Sequence, residues 1–216
     1  MTRPRRSRNR RQRERSCFPR PAVDRTASWK GVRIATIGHS TRTLEELVAL
    51  LRAAGVSVLA DIRTIPRSRH NPQFNGDSLG ASLRSRGLRY VHLAGLGGLR
   101  RARKDSPNTG WRNASFRGFA DYLSSEDFEN ALEKLCALTA QGRVALMCAE
   151  AVPWRCHRSL VADVLMARGA QVEHIITSAS PRPHRLTPFA ELAGGCVTYP
   201  GEDVAGGTLA TRAPFH

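Results

Sequence analysis

The stretch RVALMCAEAVPWRCHRSLVADVLMAR, Arg143 to Arg168, decides the fold. Its apolar run Val144–Met147 is short and opens on a β-branched residue, which predicts a strand buried on both faces. After Cys148 the chain crosses the polar, proline-bearing AEAVPWR. It resumes with Leu160, Val161, Val164 and Leu165 at helical spacing, and Gly169 is placed to end that helix. Cys156 and His157 lie a turn ahead of Leu160 and Val161. Residues a turn apart share a helix face, so both side chains are expected on the sheet-facing stripe of the first turn, beside free backbone N–H groups and the positive end of the helix dipole.

Cys148, Glu150, Cys156, His157 and Arg158 therefore converge on one corner. Taken singly, each has a structural reading: cysteine is among the most buried residue types, a helix-facing histidine is commonly a satisfied core residue, and an arginine in a first turn is commonly solvated. Five polar or reactive groups within eleven positions at a strand-to-helix junction argue instead for chemistry.

Outward from this stretch the chain repeats the same alternation. Arg33–Ile37 reads as a first strand ending in Gly38, His39 and Ser40. Thr43 to Glu46 fits a capping box for a helix whose apolar stripe is Leu44, Leu47, Val48 and Leu51 and which stops at Gly55. Ser57–Ile62 is a second strand ending in Asp61 and Arg63, the basic turn-rich stretch 67–76 follows, Leu79 and Leu83 mark a short helix, and Leu88–Leu93 is a third strand. Between 94 and 113, Gly95, Gly97 and Gly98 precede Arg100, Arg101, Arg103 and Lys104. The glycine spacing fits neither a dinucleotide fingerprint nor a P-loop, so this is expected to be a mobile basic loop, solvated or closing over an anionic substrate. Two amphipathic stretches follow, one through Phe116, Phe119 and Leu123, one through Phe128, Leu132 and Leu135 with Cys136 in its apolar face. Beyond the organising strand and helix, Val172–Ile176 is a fifth strand. The region from Pro181 is rich in proline and paired glycines, with Val197–Tyr199 as a short edge strand.

This alternation predicts an α/β fold: a mainly parallel five-stranded sheet with helices on both faces, a Rossmann-like three-layer arrangement. Ligands of such sheets bind beyond the carboxyl ends of the strands. His39 and Ser40, Asp61 and Arg63, His92, and Cys148 and Glu150 all fall there. The candidate catalytic residues are thus Cys148, Glu150, Cys156 and His157, and the candidate anion-binding residues His39, Ser40, Asp61, Arg63 and Arg158.

At 216 residues the chain suits one domain. Residues 1–30 carry eleven arginines or lysines against Glu14 and Asp24, a surplus of nine within the chain's formal +16. They hold too few apolar residues to offset the entropy of ordering them, and are expected to be a disordered extension to an α/β domain over 31–200, with 201–216 a flexible tail. No signal-peptide core and no run of about 18 apolar residues is present, which argues for the cytoplasm and against a membrane. Five scattered cysteines do not make a disulfide framework. Lys30, Lys104 and Lys134 are the only lysines among 34 basic residues, a skew compatible with a GC-rich bacterial genome.

The segments TIGHS (Thr36–Ser40), ADIRTIPRSR (Ala60–Arg69), YVHLAGLGG (Tyr90–Gly98), FRGFADYL (Phe116–Leu123), MCAEAVPWRCHR (Met147–Arg158) and PHRLTPFA (Pro183–Ala190) occur in order. Together they closely resemble the bacterial and archaeal family catalogued as domain of unknown function 488, over about residues 33–200. The resemblance implies a site at Cys148, Glu150, Pro153, Cys156, His157 and Arg158, joined by His39, Ser40, Asp61, Arg63 and Pro66. It names no substrate and no cofactor.

Three functions compete. The first is an enzyme acting on a phosphate-bearing substrate, a nucleotide or nucleic acid, with the arginines and helix N-terminus holding the anion, a cysteine as nucleophile or ligand, and Glu150 or His157 moving protons. The spacing from Cys148 to Arg155 is one residue too long for a tyrosine-phosphatase-type loop. The second is a nucleic-acid-binding protein without catalysis, supported by charge alone. The third is a metal site built from Cys148, Cys156, His157 and His39, although the two thiols lack the tight spacing of structural zinc.

Overall fold

The computed structural model describes residues 29–201. Strands β1 (Arg33–Gly38), β2 (Val58–Asp61), β3 (Arg89–His92), β4 (Val144–Cys148) and β5 (Gln171–Ile175) run parallel in the order β3-β2-β4-β1-β5. Helices α1 (Leu44–Ala53) and α2 (Gly76–Arg84) cover one face, setting Leu47, Leu51, Leu79 and Leu83 against Ala35, Ile37, Leu59 and Met147. Helices α3 (Ala114–Tyr122), α4 (Glu126–Thr139) and α5 (Arg158–Ala167) cover the other, where Phe119, Phe128, Leu135 and Leu160 meet Ile34, Ala60, Val144 and Leu146. The α/β, three-layer architecture follows directly from strands apolar on both faces. The Thr43 capping box forms: its hydroxyl accepts from the Glu46 N–H, and the Glu46 carboxylate accepts from the Thr43 N–H.

Chain order sets the position of the site. From β1 the chain leaves through α1 towards β2, and from β4 it leaves through α5 in the opposite direction, towards β5. Strands β1 and β4 are neighbours, with Gly38 opposite Cys148. The crevice beyond their ends is the topological switch point, where such sheets bind ligands.

Four expectations change. A sixth strand, β6 (Arg182–Pro183), pairs antiparallel with β5; two residues are too few to show a period in sequence. Val197 does not extend the main sheet. It lies in β8 (Cys196–Thr198), which forms a separate hairpin with β7 (Glu191–Ala193), turning on Gly194 and Gly195 at φ 55° and 77°. Segment 94–113 is tied down rather than loose. The Asp121 carboxylate accepts from the Arg103 N–H, the Ser106 hydroxyl and the Asn108 amide, and Arg100 stacks 3.6 Å over Tyr122. Lastly, Trp29 is only 2% exposed and belongs to the core, so a boundary at residue 30 would cut into it. The rest of the expected extension, with Cys17, and the tail from 202 lie outside the described residues. Among those described, no helix is long and apolar enough to cross a membrane.

A buried polar chain clamps the β5 side. The Asp163 carboxylate on α5 can only accept, so His184 donates to it through Nε2 (2.8 Å). His184 Nδ1 then accepts from His174 Nε2 (2.9 Å), and His174 Nδ1 accepts from the Thr36 hydroxyl (2.7 Å). Thr187 and Tyr199 hydroxyls complete the Asp163 shell at 2.7 and 2.8 Å.

Burial, followed by the charges of His184 and Arg158, pushes His174 down to about 3 from 6.5, against the opposing pull of Asp163. Below pH 6.5 the unfolded chain takes up a proton that the folded chain refuses until about pH 3, so stability is lost as the pH falls through that window. His174→Gln is expected to remove about 2 kcal/mol of the stability difference between pH 7 and pH 4.5, read from urea melts at both values. Trp29→Ala is expected to cost about 3 kcal/mol in the same melts at pH 7.

Candidate functional site

Alternation along β4 turns Val144, Leu146 and Cys148 towards α5, so the Cys148 thiol meets the point where that helix begins. Between them the chain makes a single 3₁₀ turn, Pro153–Arg155, and Cys156 follows in extended conformation. Cys156 therefore precedes the helix instead of riding on its first turn, because the proline-initiated turn ends there and α5 starts only at Arg158. The Arg158 backbone N–H points at the Cys156 Sγ at 3.5 Å, so sulfur takes the place of a capping oxygen.

The loops after β1 and β4 are laced together. The His39 and Ser40 amides donate to the carbonyls of Cys148 (3.0 Å) and Ala149 (2.9 Å), and Ser40 is held at φ 49°, the one non-glycine at positive φ among the described residues. A Cβ on Gly38 would run into the Glu150 carbonyl oxygen, so only glycine lets the two backbones approach this closely.

At the centre the Cys148 and Cys156 sulfurs are 2.8 Å apart. His157 donates from Nε2 to the Ile62 carbonyl (3.2 Å), which leaves Nδ1 facing the Cys156 Sγ at 3.6 Å. Arg158, 1% exposed, donates from Nη1 to the Cys148 Sγ (2.7 Å) and from Nη2 to the Ala151 carbonyl (3.0 Å), while its Nε has no partner. Burial would raise the Cys156 thiol, but the hydrogen bond from Cys148 and the adjacent His157 outweigh it and hold Cys156 down at about 6. Burial and the bond to Cys156 push Cys148 well up. The two thiols thus titrate as a coupled pair in which Cys156 ionises first. Burial disfavours the His157 imidazolium, yet the Cys156 thiolate raises its pKa. Glu150 is exposed overall; the partial desolvation of its carboxylate is outweighed by its interaction with the cysteine pair and by the charge of His157, and its pKa falls.

A second cluster forms the opposite wall. The Arg63 Nε donates to Asp61 (2.9 Å), its Nη2 to the Phe74 carbonyl (2.7 Å) and its Nη1 to the His39 Nε2 (3.2 Å). Asp61 also accepts from the Tyr90 hydroxyl (2.8 Å). His39 donates from Nδ1 to the Ser40 carbonyl (2.9 Å) and stacks on Phe74, and burial, with Arg63 adding to it, keeps its pKa below the ordinary histidine value. His92, at the end of β3, hydrogen-bonds the Arg63 carbonyl (2.7 Å) and supports this wall from behind.

Between the walls lies a cleft of about 640 Å³, within the range of small-molecule sites. It brings together Cys148, Glu150, Cys156, His157, His39, Ser40 and Arg63. Asp61 and Arg158 do not line it: Asp61 is buried under Arg63, and Arg158 lies behind the sulfurs. Two lining cations were not singled out from sequence, Arg67 and Arg155. Arg155 stands inside the PWRCHR motif and Arg67 in a basic turn-rich loop, so charge was the available signal and direction was not.

Cys148, Glu150 and Cys156 place their ligand atoms within 4.8 Å of one another, a set that could hold a divalent ion. Two thiolates on one tetrahedral zinc stand about 3.8 Å apart, so an ion would have to part these sulfurs by about 1 Å.

Gly38→Ala is expected to cost about 2 kcal/mol in urea melts, because the added methyl must push the Glu150 backbone away.

No curated protein and no solved structure matches this chain. The family model for a domain of unknown function, DUF488, matches residues 43–165, from the α1 cap through β4 and the cysteine corner into α5, and the chain belongs to that family.

Proposed function

We propose that the protein is an enzyme that uses the Cys156 thiolate as a nucleophile on a phosphate-bearing substrate, a nucleotide or a piece of nucleic acid. The observation that carries this reading is the Cys156–His157 pair, Sγ to Nδ1 at 3.6 Å, opening on a cleft whose cations are Arg63, Arg67 and Arg155. A thiolate beside an imidazolium is the activated form of a cysteine nucleophile. His157 protonates the leaving group as the substrate bonds to sulfur, then takes a proton from the water that releases the product. Arg67 and Arg155 hold the phosphate; Arg63, already committed to Asp61 and His39, sets the wall they work against.

A second reading, a Cys/His metal-binding protein, is favoured by the donor set of Cys148, Glu150 and Cys156. Metal analysis of protein purified without chelator separates the two, since a stoichiometric ion would occupy the nucleophile.

The test is alkylation by iodoacetamide, read at Cys156 by peptide mass spectrometry. Its rate should rise with a midpoint near pH 6, against the ordinary 9.0, and shift upward in His157→Ala. Inorganic phosphate or a nucleoside monophosphate should raise the melting temperature and slow the alkylation, and Arg67→Ala with Arg155→Ala should lose most of both effects. A midpoint above pH 8 with no response to phosphate rejects the reading.

A further inference from the structure

Cys148 is left without a chemical task by the nucleophilic step. It is 0% exposed, its sulfur lies 2.8 Å from that of Cys156, and it takes the Arg158 Nη1 at 2.7 Å. Cys156 reaches the cleft yet is 2% exposed, so only a small reagent can approach it end-on. A reactive thiol at a cleft, backed by a buried second thiol in contact, is the arrangement that turns one oxidised sulfur into a disulfide before anything else reaches it.

We propose that Cys148 and Cys156 form a two-thiol redox centre that reduces a small hydroperoxide and stores the oxidation as a Cys148–Cys156 disulfide. This rests on Cys156 being the nucleophile of the preceding section. The Cys156 thiolate attacks the outer peroxide oxygen and the O–O bond breaks. The departing alkoxide takes the proton of the His157 imidazolium, and Cys156 becomes a sulfenic acid. Cys148 gives its proton to the now neutral His157 as its sulfur attacks that of Cys156. The S–O bond breaks, and hydroxide leaves with that proton as water. Arg158 stabilises the negative charge that develops on Cys148. Two electrons pass from the two thiols to the peroxide, and an external dithiol returns two electrons and two protons to reset the pair.

The test uses the full chain, reduced, desalted and treated with one equivalent of hydrogen peroxide. Arg155 lies between the two cysteines, so trypsin puts them on different peptides. The expected result is loss of both reduced peptides and appearance of one cross-linked pair, reversed by dithiothreitol. In Cys148→Ser, dimedone should trap a sulfenic acid on Cys156; in Cys156→Ser, Cys148 should stay reduced. Peptide-level reading keeps Cys17, Cys136 and Cys196 out of the result. Fast iodoacetamide labelling of Cys156 with neither cross-link nor dimedone adduct overturns the redox centre and leaves the nucleophile standing. Slow labelling together with no oxidation overturns both.

Discussion

A buried guanidinium carries its charge wherever it is placed, and Arg158 is placed in the interior with a sulfur and a carbonyl for partners. Among the described residues no carboxylate pairs with it. An uncompensated cation there would cost several kcal/mol, so the fold needs a negative charge at the thiol pair. Arg158 opposes the upward shift of the Cys148 thiol that it touches, and the ionised form of Cys156 puts a negative charge in the same corner. The Cys156 sulfur and the Glu150 carboxylate in turn raise the pKa of His157.

The sheet supplies the rest. Because β1 and β4 are neighbours whose chains depart in opposite directions, their ends open a crevice that no connection covers. Gly38 lets the β4 loop lean across β1, and this brings the backbone of Glu150 and the side chain of Arg158 to the same point. His157, in turn, is pressed against Gly98 in the loop after β3, where a methyl would strike the ring. Three segments far apart in sequence therefore converge on one imidazole and two sulfurs.

Most of the fold was legible because it rests on local periods. The capping box at Thr43, the apolar runs of five strands and the helix from Leu160 onward each declare themselves within a few residues. Of the residues read at the strand ends, His39, Ser40, Arg63, Cys148 and Glu150 line the cleft, and Asp61 and His92 do not. What stayed hidden depends on direction or on distance. Arg158 and Arg155 are both basic and both inside the motif, yet one points inward to Cys148 and the other to the cleft; charge does not record which. The tie between Asp121 and the loop at 103–108, and the burial of Trp29 next to an arginine-rich stretch, need partners that only the folded chain brings near. The start of α5 was misjudged by two residues because Pro153 opens a separate turn.

The chain from Thr36 through His174 and His184 to Asp163 has a temporal consequence. Its members, with Thr187 and Tyr199, come from both ends of the folded region, and Asp163 belongs to the same helix as Arg158. Thr36 is made early and Tyr199 late, so the network that holds α5 through Asp163 can close only after nearly the whole described region has been synthesised.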